Sequence, residues 1–138
     1  MTLIEPTGAK KRIESTSEVV GILQNNDCDY WSNGSGSLAI ELDIENKSHS
    51  LALTKKKDLG FMIHHFFDVE QFVIINSEDY SNTTVINVGG EPWEVPEAFF
   101  INEKLAIEAI VTFIDTGKFT GVKLVDFHTQ SWENKILV

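Results

Sequence analysis

The stretch that decides the fold is Leu38–Glu45, with the sequence LAIELDIE. Apolar and mostly acidic residues alternate along it: Leu38, Ile40, Leu42 and Ile44 are apolar, and Glu41, Asp43 and Glu45 are acidic. Successive side chains of a β-strand point to opposite faces of a sheet. The alternation therefore predicts a strand with one face in the core and an acidic row on the other.

The residues that follow predict the neighbours of this strand. Asn46–Ser50 is a polar turn, and a return strand begins at Leu51 and ends at Lys55–Lys57, which we expect to pair with the acidic row. Three further strands are predicted, at Phe61–Phe67, Phe72–Ile75 and Thr83–Val88. The segments between them are too short for the crossover of a parallel pair, so we expect an antiparallel meander.

Two helices flank this strand-rich region. The first, Ser15–Gln24, begins with a serine followed three residues later by a glutamate, the pattern of a capping box. The second, Asn102–Thr116, has Asn102 as its N-cap and Gly117 where a left-handed residue ends a helix. It is apolar around all but a narrow stripe, so it must be covered on more than one side. A last strand is predicted at Gly121–Phe127.

Together these elements predict one α+β domain over residues 1–138. Its sheet is mainly antiparallel and has about five to six strands. A short N-terminal helix and a central C-terminal helix pack on that sheet. The length of 138 residues is typical of a single domain with a substantial core.

Charge is the unusual part of the composition. The chain has 11 lysines and arginines against 21 aspartates and glutamates, a formal net charge of −10. Binding to nucleic acid needs cationic side chains, so this balance argues against nucleic acid and against anionic membrane surfaces as partners. The acidity has two possible uses: it keeps the chain in solution, or it speeds association with a basic partner.

The sequence predicts a cytoplasmic location. Its one cysteine, Cys28, excludes an internal disulfide and suits a reducing compartment. The first residues, Met1–Lys11, contain no apolar stretch of the kind that a signal peptide needs. The longest apolar runs are too short to cross a bilayer.

The histidines do not form a recognisable catalytic or metal-binding pattern. They are His49, His64, His65 and His128. His64 and His65 are adjacent on a predicted strand, so they face opposite sides and cannot bind one metal ion together. Cys28 has no histidine close in sequence to activate it. We expect no catalytic residues, no metal and no cofactor.

Asn87–Glu97, with the sequence NVGGEPWEVPE, is predicted to be a stiff, irregular loop. Its two glycines permit positive φ, and its prolines limit flexibility. Trp93 is a candidate aromatic anchor for a partner, flanked by three acidic residues: Glu91, Glu94 and Glu97. Alternatively, Trp93 folds back and fastens the loop to the sheet. Tyr30 and Trp31, in the polar loop Asn25–Gly36, are further candidates for partner contact.

A Gly-Gly turn, then Val-Pro, then a helix with A-x-x-A-x-x-x-F-x-x-T-G resembles immunity protein family one of bacterial polymorphic toxin systems. The matching residues are Gly89, Gly90, Val95, Pro96, Ala106, Ala109, Phe113, Thr116 and Gly117. The resemblance implies a cytoplasmic antidote that binds a cognate toxin domain, often a nucleic-acid deaminase or nuclease, and occludes its active site. It also implies that the motif residues serve the fold. Such toxins need a cationic groove, which an acidic protein can occupy.

Two other functions remain open at this point. One is a small-molecule-binding protein or enzyme with a pocket between the sheet and the central helix, lined by Phe61, Ile63, Phe72 and Phe113; the same residues also suit a dry core. The other is an assembly subunit that associates with itself through Trp31 and Trp93. The oligomeric state does not follow from the sequence.

Overall fold

The computed structural model describes residues 1–25 and 27–127. Its strands are β1 Thr2–Ile4, β2 Lys10–Arg12, β3 Leu38–Ile44, β4 Lys47–Lys56, β5 Gly60–Phe67, β6 Glu70–Ile75, β7 Thr83–Val88, β8 Glu91–Pro96, β9 Phe100–Ile101 and β10 Lys123–Asp126. Its helices are α1 Thr16–Asn25, α2 Cys28–Ser32 and α3 Glu103–Thr116, with a 3₁₀ turn at Glu97–Phe99. Among the described residues, no helix is long and apolar enough to cross a membrane. His128 lies outside them.

One large antiparallel sheet forms the centre of the fold. Its strand order is β10-β6-β5-β4-β3-β1-β2, and β9 pairs with β5 beside β6. The predicted α+β class with a mainly antiparallel sheet is confirmed. The predicted number of five to six strands is wrong, because ten occur in residues 1–25 and 27–127. Three of the missed strands, β1, β2 and β9, are only two or three residues long, too short for any periodicity.

The strand pairing also corrects the predicted charge pairing. In the β3–β4 pair, Glu41 lies opposite Ser50 and Asp43 lies opposite Ser48. The lysines Lys55–Lys57 lie beyond the other end of β3. Lys55 instead places its amine 5.5 Å from the ring centroid of Phe61.

The helices α1 and α3 cover one face of the sheet, called here the helix face. Asn102 accepts a hydrogen bond from the Leu105 amide at 2.8 Å, and Gly117 ends α3 with φ 77°, as predicted. The buried core on this face is formed by Leu3, Ile13, Val19, Leu23, Trp31, Leu38, Ile40, Leu42, Leu51, Leu53, Phe61, Ile63, Ile74, Ile101, Ala106, Ala109, Ile110 and Phe113. Since α1 packs beside α3, the central helix is covered on more than one side, as its sequence requires.

A pair of histidines is built into the helix face. His49 Nδ1 and His65 Nε2 are 3.0 Å apart, and the two rings are stacked. The ring of Phe113, from α3, lies edge-on to both. Burial, followed by the charge of His49, lowers the pKa of His65 to about 4. Because a hydrogen bond between two imidazoles needs one acceptor nitrogen, at most one of the two rings can carry a positive charge while the bond is made.

The opposite face of the sheet is covered by the hairpin of β7 and β8, and is called the hairpin face. The predicted strand Thr83–Val88 occurs with these bounds, but its predicted place in the meander is wrong. Among the described residues, β7 is outside the main sheet and pairs only with β8. A second, smaller core lies beneath, formed by Met62, Val73, Ile75, Ile86, Val95, Phe99, Phe100 and Phe127. Both faces of the sheet are therefore partly buried, by different elements.

Candidate partner-binding site at the β7–β8 hairpin

The segment predicted as an irregular loop is a regular hairpin with a two-residue turn. Val88 pairs with Glu91, and between them Gly89 and Gly90 have φ of 61° and 93°. Two successive positive φ values are typical of the turn whose twist matches that of a hairpin, and glycine adopts them without strain. Prolines are tolerated in β8 because a strand at a sheet edge has one side free of ladder bonds.

The tip of the hairpin is held by the loop that precedes β3. The Asn87 side-chain amide donates to the Gly34 carbonyl at 3.0 Å, and the Gly89 amide donates to the Ser35 carbonyl at 3.0 Å. Gly36 has φ 79°, and a Cβ there would lie 2.4 Å from the Asn87 carbonyl oxygen. Only glycine permits this close approach. The segment Asn33–Gly36 therefore holds the tip in place and is called here the cradle.

The base of the hairpin is held as well. The Glu97 amide donates to the Asn82 carbonyl at 2.8 Å, which closes the open end of the two strands. Ile86 and Val95 point down into the hairpin-face core and are buried. The amide of Asn76, at the end of β6, donates to the Ala98 carbonyl at 2.7 Å. The hairpin is thus fixed to the rest of the molecule at both ends.

The pairing of β7 with β8 separates the predicted acidic cluster. Trp93 pairs with Ile86, whereas Glu94 pairs with Val85. Because side chains alternate along a strand, Glu91 and Trp93 share the face that points toward the sheet, and Glu94 points away from it. Glu97 lies in the 3₁₀ turn at the base and is half-buried. The three glutamates therefore do not surround Trp93 as one cluster.

Trp31 does not belong to the surface, so the predicted partner contact at this residue is wrong. It is 1% exposed and packs edge-on against Tyr30 and Phe61 in the helix-face core. Its burial also removes it from the predicted self-association surface. Its indole N–H has no hydrogen-bond partner among the described residues. The sequence signal that was missed is Asp27, whose side chain accepts a hydrogen bond from the Tyr30 amide and caps α2, the short helix that carries Trp31.

Tyr30 is tied to the N-terminal strands rather than to the hairpin. Its hydroxyl donates to a carboxylate oxygen of Glu5 at 3.1 Å. Burial, and then the neighbouring carboxylate, raise the pKa of this phenol above its usual value. The side chain is half-buried. Tyr30 therefore contributes to packing at the edge of the helix-face core.

A cavity of about 290 Å³, called here the hairpin groove, lies between the hairpin and strands β4, β5 and β6. Its lining residues are Ser37, Ala52, Thr54, Met62, His64, Phe66, Gln71, Ile86, Asn87, Val88, Trp93, Val95 and Phe127. None of them is an aspartate, glutamate, lysine or arginine. The groove is therefore mainly apolar and aromatic, with a few hydroxyl and amide groups.

Aromatic rings stack along the groove. The ring of His64 lies against Phe66 at a centroid distance of 4.1 Å and against Phe127 at 4.3 Å. Beyond Phe127 comes Trp93, nearly parallel at 21° but farther away, with 6.4 Å between centroids. His64 Nε2 is 3.1 Å from Gln71 Oε1. His64 and His65 do face opposite sides of β5, as predicted.

The residues predicted to line a pocket between the sheet and the central helix do not form one together. Phe61, Ile63 and Phe113 are at most 1% exposed and pack into the helix-face core, and Phe72 is half-buried. Phe61 borders a separate cavity at the start of α3, beside Asn102 and Glu103. The hairpin groove is on the other face of the sheet. Periodicity could not reveal it, because it depends on where the hairpin crosses the strands.

The outer rim of the hairpin carries exposed apolar and acidic side chains. Val85 is 50% exposed and Trp93 is 36% exposed. Val88, at the tip, is also exposed, as are Glu91 and Glu94. Trp93 combines both interpretations made from the sequence: it packs toward Phe127, and part of its ring faces solvent.

The nine motif residues occupy turn, core and cap positions. Val95, Ala106, Ala109 and Phe113 are buried, and Pro96 is buried beside Val95. The Thr116 hydroxyl donates to the Thr112 carbonyl at 2.7 Å in the last turn of α3, next to the cap at Gly117. Gly89 and Gly90 form the hairpin turn. These positions agree with a structural role for the motif.

The described residues include no group of three or more histidine, cysteine, aspartate or glutamate side chains placed to hold a metal ion. The sequence matches no protein-family model and no curated protein sequence.

Proposed function

We propose that this chain is an immunity protein that binds a basic cognate toxin domain and occludes its active site, without catalysis of its own. The toxin domain is of the kind that acts on nucleic acid, a deaminase or a nuclease. The observation that carries the proposal is the exposed hairpin, whose backbone is fixed at both ends. Val85 and Glu94 lie opposite each other on its outward face, and Trp93 and Glu91 are exposed on its other face.

Charge and rigidity support this proposal physically. A net charge of −10 accelerates encounter with a basic domain, and the effect falls as salt is added. An exposed tryptophan supplies apolar contact area at low cost in side-chain entropy. A hairpin that is already fixed loses little further freedom on binding, so more of the contact energy remains as affinity.

The resemblance to immunity protein family one adds a second line of support. Its motif residues occupy the turn, the buried helix positions and the helix cap, as a shared fold requires. Those residues leave the hairpin rim free to differ between proteins with different partners. The cytoplasm is the proposed location, since an antidote must meet its toxin where the nucleic acid is.

The experiment reads the genes beside this one and co-expresses the chain with a toxin domain that they encode; the absence of any such gene counts against the proposal. We expect rescue of growth and a stable complex on size-exclusion chromatography. The paired changes Glu91→Lys and Glu94→Lys are expected to slow association at least tenfold at low salt. The matched control, Glu108→Lys with Asp115→Lys on α3, changes net charge equally but lies on the helix face. The proposal fails if no complex forms, or if both pairs slow association alike.

A second candidate function is the binding of a small molecule. The observation that favours it is the hairpin groove, whose 290 Å³ is just below the size usual for ligand sites. Native mass spectrometry of protein purified from its own cells would detect a retained metabolite. A stoichiometric metabolite would favour this candidate over the immunity function.

A further inference from the structure

We infer that the hairpin groove receives a large, uncharged apolar side chain of the toxin domain, which anchors the complex beside the acidic residues of the hairpin. This inference rests on the proposed function and names the group that the toxin presents. The observations behind it are the uncharged walls of the groove, the paired state of its polar groups, its exposed apolar surface, its size and its fixed shape.

The walls of the groove select against a charged occupant. They contain no aspartate, glutamate, lysine or arginine, and most of the lining side chains are apolar or aromatic. Lys55 and Lys56 line a neighbouring cavity instead. A charged group that enters such walls loses hydration without gaining an opposite charge close by. Ions of either sign are therefore expected to bind poorly in the groove.

The polar groups of the groove already have partners within the protein. His64 Nε2 is 3.1 Å from Gln71 Oε1. The Asn87 side-chain amide donates to the Gly34 carbonyl, and its side-chain oxygen accepts from the Gly90 amide at 2.7 Å. Among the described residues, the groove has no buried polar side-chain atom that lacks a partner. A site for a polar ligand presents unpaired polar groups that converge on it, so this groove suits an apolar occupant.

The groove leaves apolar surface for an occupant to cover. Trp93 is 36% exposed, Val88 is 37% exposed and Phe66 is half-buried. Met62 and Val95, which also line the groove, are buried. Removing apolar surface from water is favourable in proportion to its area. An apolar group in the groove therefore covers the remaining surface of these side chains together with its own.

The size and shape of the groove suit one side chain of a partner. The volume is about 290 Å³, whereas a cavity of about 150 Å³ holds one benzene molecule and most metabolite sites are larger than about 300 Å³. Because the hairpin is fixed at tip and base, the groove is formed before the partner arrives. A preformed pocket that takes one buried anchor is typical of the contacts that dominate affinity.

The first test uses methyl-labelled methionine, because the two methionines of the chain lie on opposite faces of the sheet. Met62 lines the groove, whereas Met1 packs against the helix-face core and serves as the internal control. The probes are benzyl alcohol, benzoate and benzylamine, which share one ring and are neutral, negative and positive at neutral pH.

With benzyl alcohol, we expect a saturable NMR shift of the Met62 methyl group and none at Met1. Both ions are expected to bind at least fivefold more weakly. The inference is overturned if no saturable shift occurs, if both methionines shift alike, or if either ion binds as tightly as the alcohol.

The second test places the same change inside and outside the groove. Ala52 and Ala39 lie opposite each other in the β3–β4 pair and both are half-buried, but of the two only Ala52 lines the groove. Ala52→Leu fills part of the groove and is expected to weaken the toxin complex at least tenfold, mainly through faster dissociation. Ala39→Leu is expected to stay within threefold of the unchanged protein. Urea midpoints verify that both variants are folded, and equal affinities of the two overturn the inference.

Other occupants give different results. Native mass spectrometry of protein from its own cells detects a retained metabolite, and sedimentation at several concentrations detects a second copy of this chain. A metabolite that Ala52→Leu displaces, or self-association that Ala52→Leu abolishes, overturns the inference.

The apolar anchor and the immunity function fail separately. Selective binding of benzyl alcohol without any toxin complex would leave the groove as an apolar site and remove the immunity function. A toxin complex with unchanged affinity in Ala52→Leu would keep the immunity function and overturn the anchor.

Discussion

The two faces of the central sheet are buried in different ways. On the helix face, residues such as Leu53, Phe61 and Ile63 have no exposed surface, and two helices pack over them. On the hairpin face, Met62 and Val73 are buried, but Phe66 on the same strand as Met62 is only half-buried and borders a cavity. Adjacent residues of β5 thus enter a full core on one side and an open groove on the other.

The difference follows from the elements that cover each face. A helix presents a broad apolar surface that fits between the side chains of a sheet. A two-stranded ribbon is narrow, and each of its strands offers only every second side chain. The helix face is therefore expected to supply most of the stability, while the hairpin face provides the site. Four changes test this division.

The largest effect is expected from truncating a large side chain on the helix face. Phe61→Ala should lower the free energy of unfolding by about 3–5 kcal/mol, because it removes buried contacts and leaves a cavity. The matched change Phe66→Ala on the hairpin face should cost less than about 1.5 kcal/mol, since that ring is already half-exposed. Urea denaturation at pH 7 measures both. Equal losses would contradict the proposed difference between the faces.

Acidification should lower the free energy of unfolding, because it protonates the histidine pair on the helix face. The pKa of His65 is about 4 in the folded protein, below the ordinary 6.5. The unfolded chain therefore binds the proton more readily, and stability falls as pH drops from about 6.5 to about 4. Burial, then Lys47, also lower the pKa of His49, while Asp43 opposes them. We expect a loss of roughly 2–3 kcal/mol, measured by urea denaturation at several pH values.

The control for this pH effect is His65→Leu, which removes the titrating group and keeps an apolar side chain. It should have a flatter dependence of stability on pH between 6.5 and 4, whatever its stability at pH 7. An unchanged slope would show that other groups, and not the histidine pair, cause the acid sensitivity.

The cradle of the hairpin tip should be sensitive to one added methyl group. Gly36→Ala combines positive φ with a Cβ 2.4 Å from the Asn87 carbonyl oxygen, and should cost about 2 kcal/mol or more. Gly89→Ala has positive φ but open space around the new methyl group, and should cost about 1 kcal/mol. Hydrogen exchange of the Gly89 and Gly90 amides reports whether the tip is released. Similar costs at the two glycines would contradict a cradle.

The smallest effect on stability is expected at the rim. Glu94→Lys should change the free energy of unfolding by less than about 0.5 kcal/mol, because the side chain is exposed and faces away from the sheet. It should nevertheless slow association with a basic partner. Thermal unfolding and a binding-rate measurement on the same protein separate the two effects. A large loss of stability would mean that the Glu94 side chain contributes to the folded core, contrary to its exposed position.

The sequence predicted the strands and helices whose apolar residues recur at a regular spacing, and missed the short strands without such a repeat. Strand β3 and helix α3 alternate or repeat clearly, and both occur with their predicted boundaries to within one residue. The strands β1 and β2 are three residues each. β1 pairs with β3 and β2 pairs with β1, and no local sequence pattern indicates either pairing. β8 was missed because its two prolines suggested a loop, although an edge strand tolerates them.

The site was predictable only in part. Trp93 and its acidic neighbours were recognised from composition, but their division between two faces depends on a turn of two residues between β7 and β8. The groove depends on tertiary contacts, since Gln71, Trp93 and Phe127 come from separate strands or turns. Trp31 looked like a surface residue because its loop is polar, yet its short helix turns it into the core.

The anchoring of the hairpin at tip and base has a geometric consequence. A ribbon held at both ends cannot lift freely from the sheet. Its tip is bonded to the Gly34 and Ser35 carbonyls, and its base is tied to the end of β6 by the bond from the Asn76 amide to the Ala98 carbonyl. A ligand in the hairpin groove must therefore fit the space that already exists, because widening it would break hydrogen bonds at the tip or at the base of the hairpin.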